Sequence, residues 1–376
     1  MRISYIVFCY STLFILGFID NSRGPLYPEF LNYFQVNPGK GSLIFSLASF
    51  MGFIATISSK WWLGLLGAIN STRVALVIHS VACLIMGLAP ADNFYLFLFA
   101  AVLFGTGVGI ETICLNLILA VSTDKTKRRR VLSGLHAMYG IASFAAPFFI
   151  SLLKTRSENF QDIFLYVSVF PILILITTFR LKPLNISKES SDPFSLPLKH
   201  MLTLGVMMGF YVSSEIVLSS RLVFYIESLD IMDKVMSKNM LTLFFLGLLS
   251  GRVLFTFKHF DIDNRKLLIM SIAASLLVTL VGISFYPPLL VLNGFTLSYF
   301  FPTALDMLGE HFHEHLDIIM SRVFIGVGAL LFIVHWGFGL LTETFGISIS
   351  IWLIPVFMTI VLYLLQFRLK FLQEYR

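Results

Sequence analysis

The chain has 376 residues, of which 57% are hydrophobic and only 13% charged, with a mean hydropathy of +0.85 and a formal net charge of +6. A water-soluble domain of this size carries far more charge over its surface, which excludes a soluble enzyme. The basic excess gathers where membrane topology would put it, so no nucleic-acid partner is expected.

Apolar stretches of about twenty residues recur along the chain, each long enough to cross the ~30 Å hydrocarbon slab as a helix. Backbone polar groups in lipid must pair internally, and stretches this long suit helices, not barrel strands. Spans are predicted at 4–34, 41–61, 72–90, 93–121, 131–153, 162–181, 198–227, 238–257, 265–284, 287–309, 319–343 and 347–368. The first follows Met1 and Arg2 and runs on past Asp20 without a small-residue cleavage site, so it reads as a span and not a cleaved signal. The longest polar connection, 182–197, holds Pro183, Pro193 and Pro197. A single linker at the midpoint predicts an all-α membrane protein of two pseudo-symmetric six-helix bundles, residues 1–181 and 198–376, joined by a cytoplasmic linker.

Orientation follows from Lys and Arg. With a cytoplasmic N-terminus, the inner segments hold Arg2, Lys60, Arg73, the Lys125–Arg130 cluster, Arg180, Lys182, Lys188, Lys199, Lys258, Arg265, Lys266, Arg322, Arg368, Lys370 and Arg376. The outer loops hold only Lys40, Lys154, Arg156, Lys234 and Lys238. Both termini are therefore expected in the cytoplasm, with the protein in the plasma (inner) membrane. The Lys125–Arg130 cluster reads as a topology anchor, with binding of anionic lipid headgroups as the alternative.

An ionisable side chain near the bilayer centre costs at least ~2.5–3.5 kcal/mol, so it lines a polar cavity or has a partner. Asp20 and Arg23 stand three apart on the first span and can pair. Gly24, Pro25 and Pro28 predict an irregular outer half for that helix, beside charges that suit a solute; the alternative is a pair that only fixes packing. Glu111, in FGTGVGIETICLN, has no basic residue within one turn and reads as a carboxylate that takes up and releases a proton. A hydrogen-bonded carboxyl without a transport role is the alternative. Gly105, Gly107 and Gly109 beside it predict close helix approach and not a nucleotide loop.

Glu215 and Arg221 lie six apart on the seventh span, so each is expected to find its partner on a neighbouring helix. Asn21, Asn116, Tyr139, Tyr211, Asn293 and Tyr299 offer amides and aromatic hydroxyls for a solute, with packing as the competing use. His79, His136 and His335 fall within spans; His136, on a helix expected to break at Gly140 and Pro147, is singled out for a proton relay or a helix–helix hydrogen bond. His311, His313 and His315 have the look of a metal cluster but fall in a predicted cytoplasmic loop, and no metal or cofactor is expected. Cys9, Cys83 and Cys114 sit in apolar stretches as small packing residues. The chain shows no Walker loop, HExxH or GxSxG elbow, so a catalytic role is not expected.

With these segments in hand, the chain resembles the major facilitator superfamily, and within it the fucose:proton symporter family. The DN-containing first span, GVGIETICLN, YVSSEIVLSSRL and FLGLLSGRVL carry the resemblance, with weaker likeness in LHAMYGIASFAAP and GFTLSYFFPT. It implies proton-linked carboxylates at Asp20 and Glu111, a solute contact at Glu215, and a gating contact at the cytoplasmic face from Gly247, Gly251 and Arg252. Three departures stand out. Asn116 comes five residues after Glu111 where four are expected, the loop GLLGAINSTR lacks the superfamily's aspartate, and Arg23 beside Asp20 is unexpected in a fucose carrier.

The expected function is secondary active transport of a small polar, sugar-like solute by alternating access, with proton-coupled symport. Arg23, Asn21, Asn116, His136, Tyr139, Tyr211, Glu215, Arg221 and Asn293 are the candidate solute contacts. The expected partners are the solute, protons and membrane lipids, with the chain acting as a monomer. The alternatives are proton-coupled export of a drug, anionic metabolite or lipid-like molecule, for which Arg23 and Arg221 suit an anionic group, and a receptor that binds solute without moving it.

Overall fold

The computed structural model describes residues 3–123, 125–154, 159–179, 181, 196–257, 262–312 and 315–375. Among these, 12 helical segments are long and apolar enough to cross a membrane, and no strand occurs. The chain divides into two compact units, Met1–Glu189 and Ser190–Arg376. Most of the expected linker, residues 182–195, lies outside the described residues.

The N-terminal unit holds α1 (Ile3–Phe34), α2 (Pro38–Ile57), α3 (Ser59–Leu88), α4 (Phe94–Ser122), α5 (Lys125–Lys154) and α6 (Phe160–Thr178). Short polar caps start its helices. Asn37 accepts from the Lys40 amide at 2.9 Å with Pro38 in the first turn, and Asn93 accepts from the Leu96 amide at 3.0 Å. A side-chain oxygen here pairs a helix amide that has no carbonyl of its own.

The C-terminal unit holds α7 (Leu198–Ser228), α8 (Lys234–Phe257), α9 (Asn264–Ser284), α10 (Asn293–Leu297), α11 (Phe300–Phe312), α12 (Leu316–Phe345), α13 (Ile347–Ser350) and α14 (Leu353–Phe367). A 3-10 turn at Pro287–Leu292 joins α10 and α11 in one span, and α13 and α14 form the last.

Helix pairing repeats between the units. In the first, α1 packs on α5, α2 on α4 and α3 on α6; in the second, α7 packs on α12, α8 on α10 and α9 on α14. Counted by span, the partners are first with fifth, second with fourth and third with sixth in each unit. The contacts repeat in kind as well. A Cβ on Gly105 of α4 would fall onto the Ala48 carbonyl of α2, and one on Gly294 of α10 onto the Phe244 carbonyl of α8. Gly109 likewise meets Gly52. Helices without a hydrophobic driving force between them gain by such backbone approach.

The third span of each unit also fastens the end of the sixth. Arg73 donates to the Thr178 carbonyl at 2.6 Å and to its hydroxyl at 3.0 Å, while Arg265 donates to the Leu365 and Gln366 carbonyls, both at 2.8 Å. A guanidinium there pairs leftover carbonyls at the negative end of a helix. The arginine of GLLGAINSTR thus has this capping role, and Gly67 within that segment, at φ 70°, kinks α3.

Two expectations about helix regularity are corrected. The first span runs as one α-helix through Pro25 and Pro28, and α5 runs through Gly140 and Pro147. Residues Ser22 to Pro28 are all buried, so surrounding packing holds the helix where the proline ladder gaps would loosen it. Irregularity lies in other spans: besides the Gly67 kink in α3 and the division of the last span, Pro287 opens a 3-10 turn before α10 and α11 in the tenth.

The backbone contact at Gly105 predicts that Gly105→Ala destabilises the protein by about 1–3 kcal/mol, as overpacking does. Gly64→Ala, whose Cβ would meet nothing within 4 Å, stays within about 1 kcal/mol of the parent. Thermal denaturation in detergent separates the two.

Candidate functional site

Asp20 lies one turn before Arg23 on α1, and its Oδ1 pairs with Arg23 Nη2. Its other oxygen, Oδ2, accepts from the Tyr139 hydroxyl of α5 at 2.6 Å. Tyr139 reaches it because α1 carries glycine opposite the ring: a Cβ on Gly17 would sit 2.9 Å from Tyr139 Cδ2. Asn21 ties the same helices together, donating to the Gly17 carbonyl at 2.8 Å and to the Ser143 hydroxyl at 2.9 Å. Asp20 retains 29% side-chain exposure while Arg23 retains 7%. The guanidinium runs inward, 4.3 Å from the Phe104 ring centroid of α4 and 5.4 Å from that of Phe45 of α2, where cation–π attraction offsets part of its lost hydration.

Deeper in the same unit, Glu111 of α4 is fully buried and its Oε1 lies 3.1 Å from Nδ1 of His79 on α3. The other imidazole nitrogen, Nε2, lies 3.3 Å from the Phe104 carbonyl. Gly107 makes room for the ring, since a Cβ there would meet His79 Nε2 at 2.5 Å. Of the three glycines before Glu111, two therefore serve contact with α2, and the middle one admits an imidazole. Pairing with His79 was not legible from α4 alone. The available signal was that two isolated ionisable residues on adjacent spans lower their cost by meeting.

The C-terminal unit holds a second carboxylate with the same kinds of partner. Glu215 of α7 accepts from the Tyr211 hydroxyl at 2.5 Å and lies 3.7 Å from Arg252 Nη2 of α8. The Tyr211 ring is fixed by stacking on Phe300, with centroids 4.1 Å apart. Glu215 thus meets a cation on a neighbouring helix, as its spacing from Arg221 predicts. Arg221 is 1% exposed, with its guanidinium 5.8 Å from the Phe338 ring of α12.

The remaining candidates disperse. Asn116 donates to the Thr112 carbonyl of its own helix at 2.7 Å and is half-buried. His136 is exposed on α5. Asn293 is buried, accepting from the Thr279 hydroxyl at 3.2 Å and donating to the Leu290 carbonyl at 3.3 Å. Tyr299 stacks on Phe255. Gly247 and Gly251 face α10: Cβ atoms there would meet the Phe295 amide nitrogen at 3.0 Å and the Ser298 hydroxyl. His311 donates Nδ1–H to the Met307 carbonyl at 2.7 Å, His315 precedes α12, and His313 lies outside the described residues. Cys9, Cys83 and Cys114 are buried free thiols.

A hydroxyl that donates to an ionised carboxylate contributes about 1.5–3 kcal/mol. Tyr139→Phe is therefore expected to lower stability by about that amount in the parent and by much less in an Asp20→Asn background. The four denaturation midpoints of this cycle measure the coupling; equal losses in both backgrounds would contradict the contact.

The model of the Major Facilitator Superfamily matches residues 9–315. The glucose/mannose transporter GlcP of Bacillus subtilis (strain 168) is 23% identical over 355 residues, 88% of this chain and 87% of that protein. Among solved structures, the D-xylose-proton symporter superposes with a TM-score of 0.81 at 13% identity, over 96% of this chain and 97% of that one. FucP in its outward conformation gives 0.65 at 15% identity, over 97% and 99%. These two likenesses concern the fold, whereas the family match extends along most of the sequence, and the chain belongs to the Major Facilitator Superfamily.

Proposed function

We propose that this chain is a secondary active transporter that moves a small, sugar-like solute by alternating access, together with protons. The observation that carries the reading is that each unit places a carboxylate in an apolar span between a tyrosine hydroxyl and a guanidinium. These are Asp20 with Tyr139 and Arg23, and Glu215 with Tyr211 and Arg252. Such a carboxylate is costly to keep in a membrane unless the charge is used. The names of the relatives, a glucose/mannose transporter and a D-xylose-proton symporter, support a sugar and a proton. They give no support to export of a drug or lipid, or to a receptor.

In this reading Asp20 and Glu111 are the proton-coupling groups. Protonating Asp20 removes the negative partner of Arg23, and the guanidinium is then free to donate to a solute hydroxyl. Asn21, Tyr139, half-buried Asn116 and exposed His136 are the solute contacts offered by the first unit, and Tyr211, Glu215 and Arg221 those offered by the second. Arg252 links the Glu215 contact to α8, where Gly247 and Gly251 let the helices slide closely during gating. Asn293 is offered as a further contact of the second unit, one that must first give up its bond to Thr279. The protein acts as a monomer in the plasma membrane with both termini in the cytoplasm, and its role is transport, not catalysis.

Purified protein in liposomes is expected to accumulate D-glucose, D-xylose or L-fucose when an inward proton gradient is imposed, and a protonophore abolishes the accumulation. Asp20→Asn and Glu111→Gln each reduce gradient-driven accumulation roughly tenfold, within the range of coupling free energies, while solute counterflow persists. Accumulation that is unchanged in both variants would refute the coupling roles.

A further inference from the structure

The hydrogen bonds around His79 fix more than its orientation. The Phe104 carbonyl facing Nε2 at 3.3 Å can only accept, which favours the neutral tautomer with its proton on that nitrogen. Nδ1 then faces Glu111 Oε1 at 3.1 Å with a lone pair, and one further proton must lie between them. It sits either on the carboxyl or on the ring, and the net charge of the pair is zero in both cases. Without it, a lone pair would face a carboxylate in a fully buried site and the pair would carry one negative charge. Glu111 Oε2 has no hydrogen-bond partner among the described residues, so His79 alone holds this carboxyl.

We propose that His79 and Glu111 bind and release the coupling proton as one unit, with His79 as the positioning residue that shares it. This deepens the transport reading, on which the word coupling rests. The other ionisable groups around the pair are few. Cys114 follows on α4 and Cys83 on α3, both buried thiols, and Arg23 of α1 reaches the pair only across Phe104. The Phe104 ring lies 5.1 Å from the His79 ring and 4.3 Å from the Arg23 guanidinium carbon, centroid distances in both cases. Of the other helices packed on α3 and α4, α2 carries only Lys40, at its N-terminal end; α6 carries Asp162 and Tyr166 in its first two turns; α5 carries exposed His136, Tyr139, which donates to Asp20, and basic residues at its two ends, Lys154 among them. Arg23 is thus the cation placed to sense loss of the shared proton, and it is the same guanidinium that pairs with Asp20.

Two measurements test the assignment. Imidazole nitrogen NMR of histidine-labelled protein, with His79→Gln to assign the signal, follows the ring through a pH titration. In Glu111→Gln the dependence of the His79 signal on pH is expected to change, because the group that shares its proton is gone. A midpoint that ignores Glu111→Gln overturns the proposal, whether or not any sugar is transported. In liposomes, His79→Gln is expected to retain D-glucose counterflow and lose roughly tenfold in proton movement per D-glucose. Equal loss of both activities, with a lowered melting temperature, would make His79 a packing residue only. If the parent moves none of D-glucose, D-xylose and L-fucose, and no protons, the transport reading fails and the titration still decides the pair.

Discussion

The constraint on which the structure depends is the cost of an ionised side chain in hydrocarbon. Asp20, Glu111 and Glu215 all lie in spans with apolar neighbours, and each meets its basic partner within its own unit: Arg23, His79 and Arg252. The surrounding sequence follows from those pairings. Gly17 clears space for Tyr139 and Gly107 for the His79 ring, and aromatic rings of Phe45, Phe104 and Phe338 receive the two buried guanidinium groups. Glycine and phenylalanine positions that look like ordinary membrane packing are in several cases the housing of a charge.

The internal repeat is visible in packing, not in residue identity. Both units pair their helices in one order, bring α2 to α4 and α8 to α10 through glycine, and cap the end of the sixth span with an arginine from the third. Against that common frame the chemistry differs. Where α3 and α4 bring together His79 and Glu111, α9 and its neighbours bring Ser275 to Thr296 at 2.7 Å and Thr279 to Asn293 at 3.2 Å, all neutral groups. Buried hydroxyl and amide pairs hold helices together without a proton to exchange. At this corresponding place the N-terminal unit holds a titratable pair and the C-terminal unit does not, although the latter buries His335 and Lys238 elsewhere.

The span pattern was legible in hydropathy because length and apolarity are local properties: helix bounds such as Leu198–Ser228 and Asn264–Ser284 differ little from those read in the sequence. Asp20 with Arg23 was legible because both lie on one helix. His79 with Glu111, and Glu215 with Arg252, were hidden because the partners stand on different helices whose adjacency no local pattern specifies. Proline misled in the first span, since α1 continues as helix through buried Pro25 and Pro28, whereas Pro287 at the start of a span does open a 3-10 turn.

The central claim is that intramembrane carboxylates move protons with solute. The most direct test places the protein in lightly buffered liposomes without any imposed gradient, adds D-glucose outside, and records external pH. The medium is expected to turn alkaline as sugar enters, in proportion to the sugar taken up. Sugar entry with no pH change, or with acidification, would contradict it.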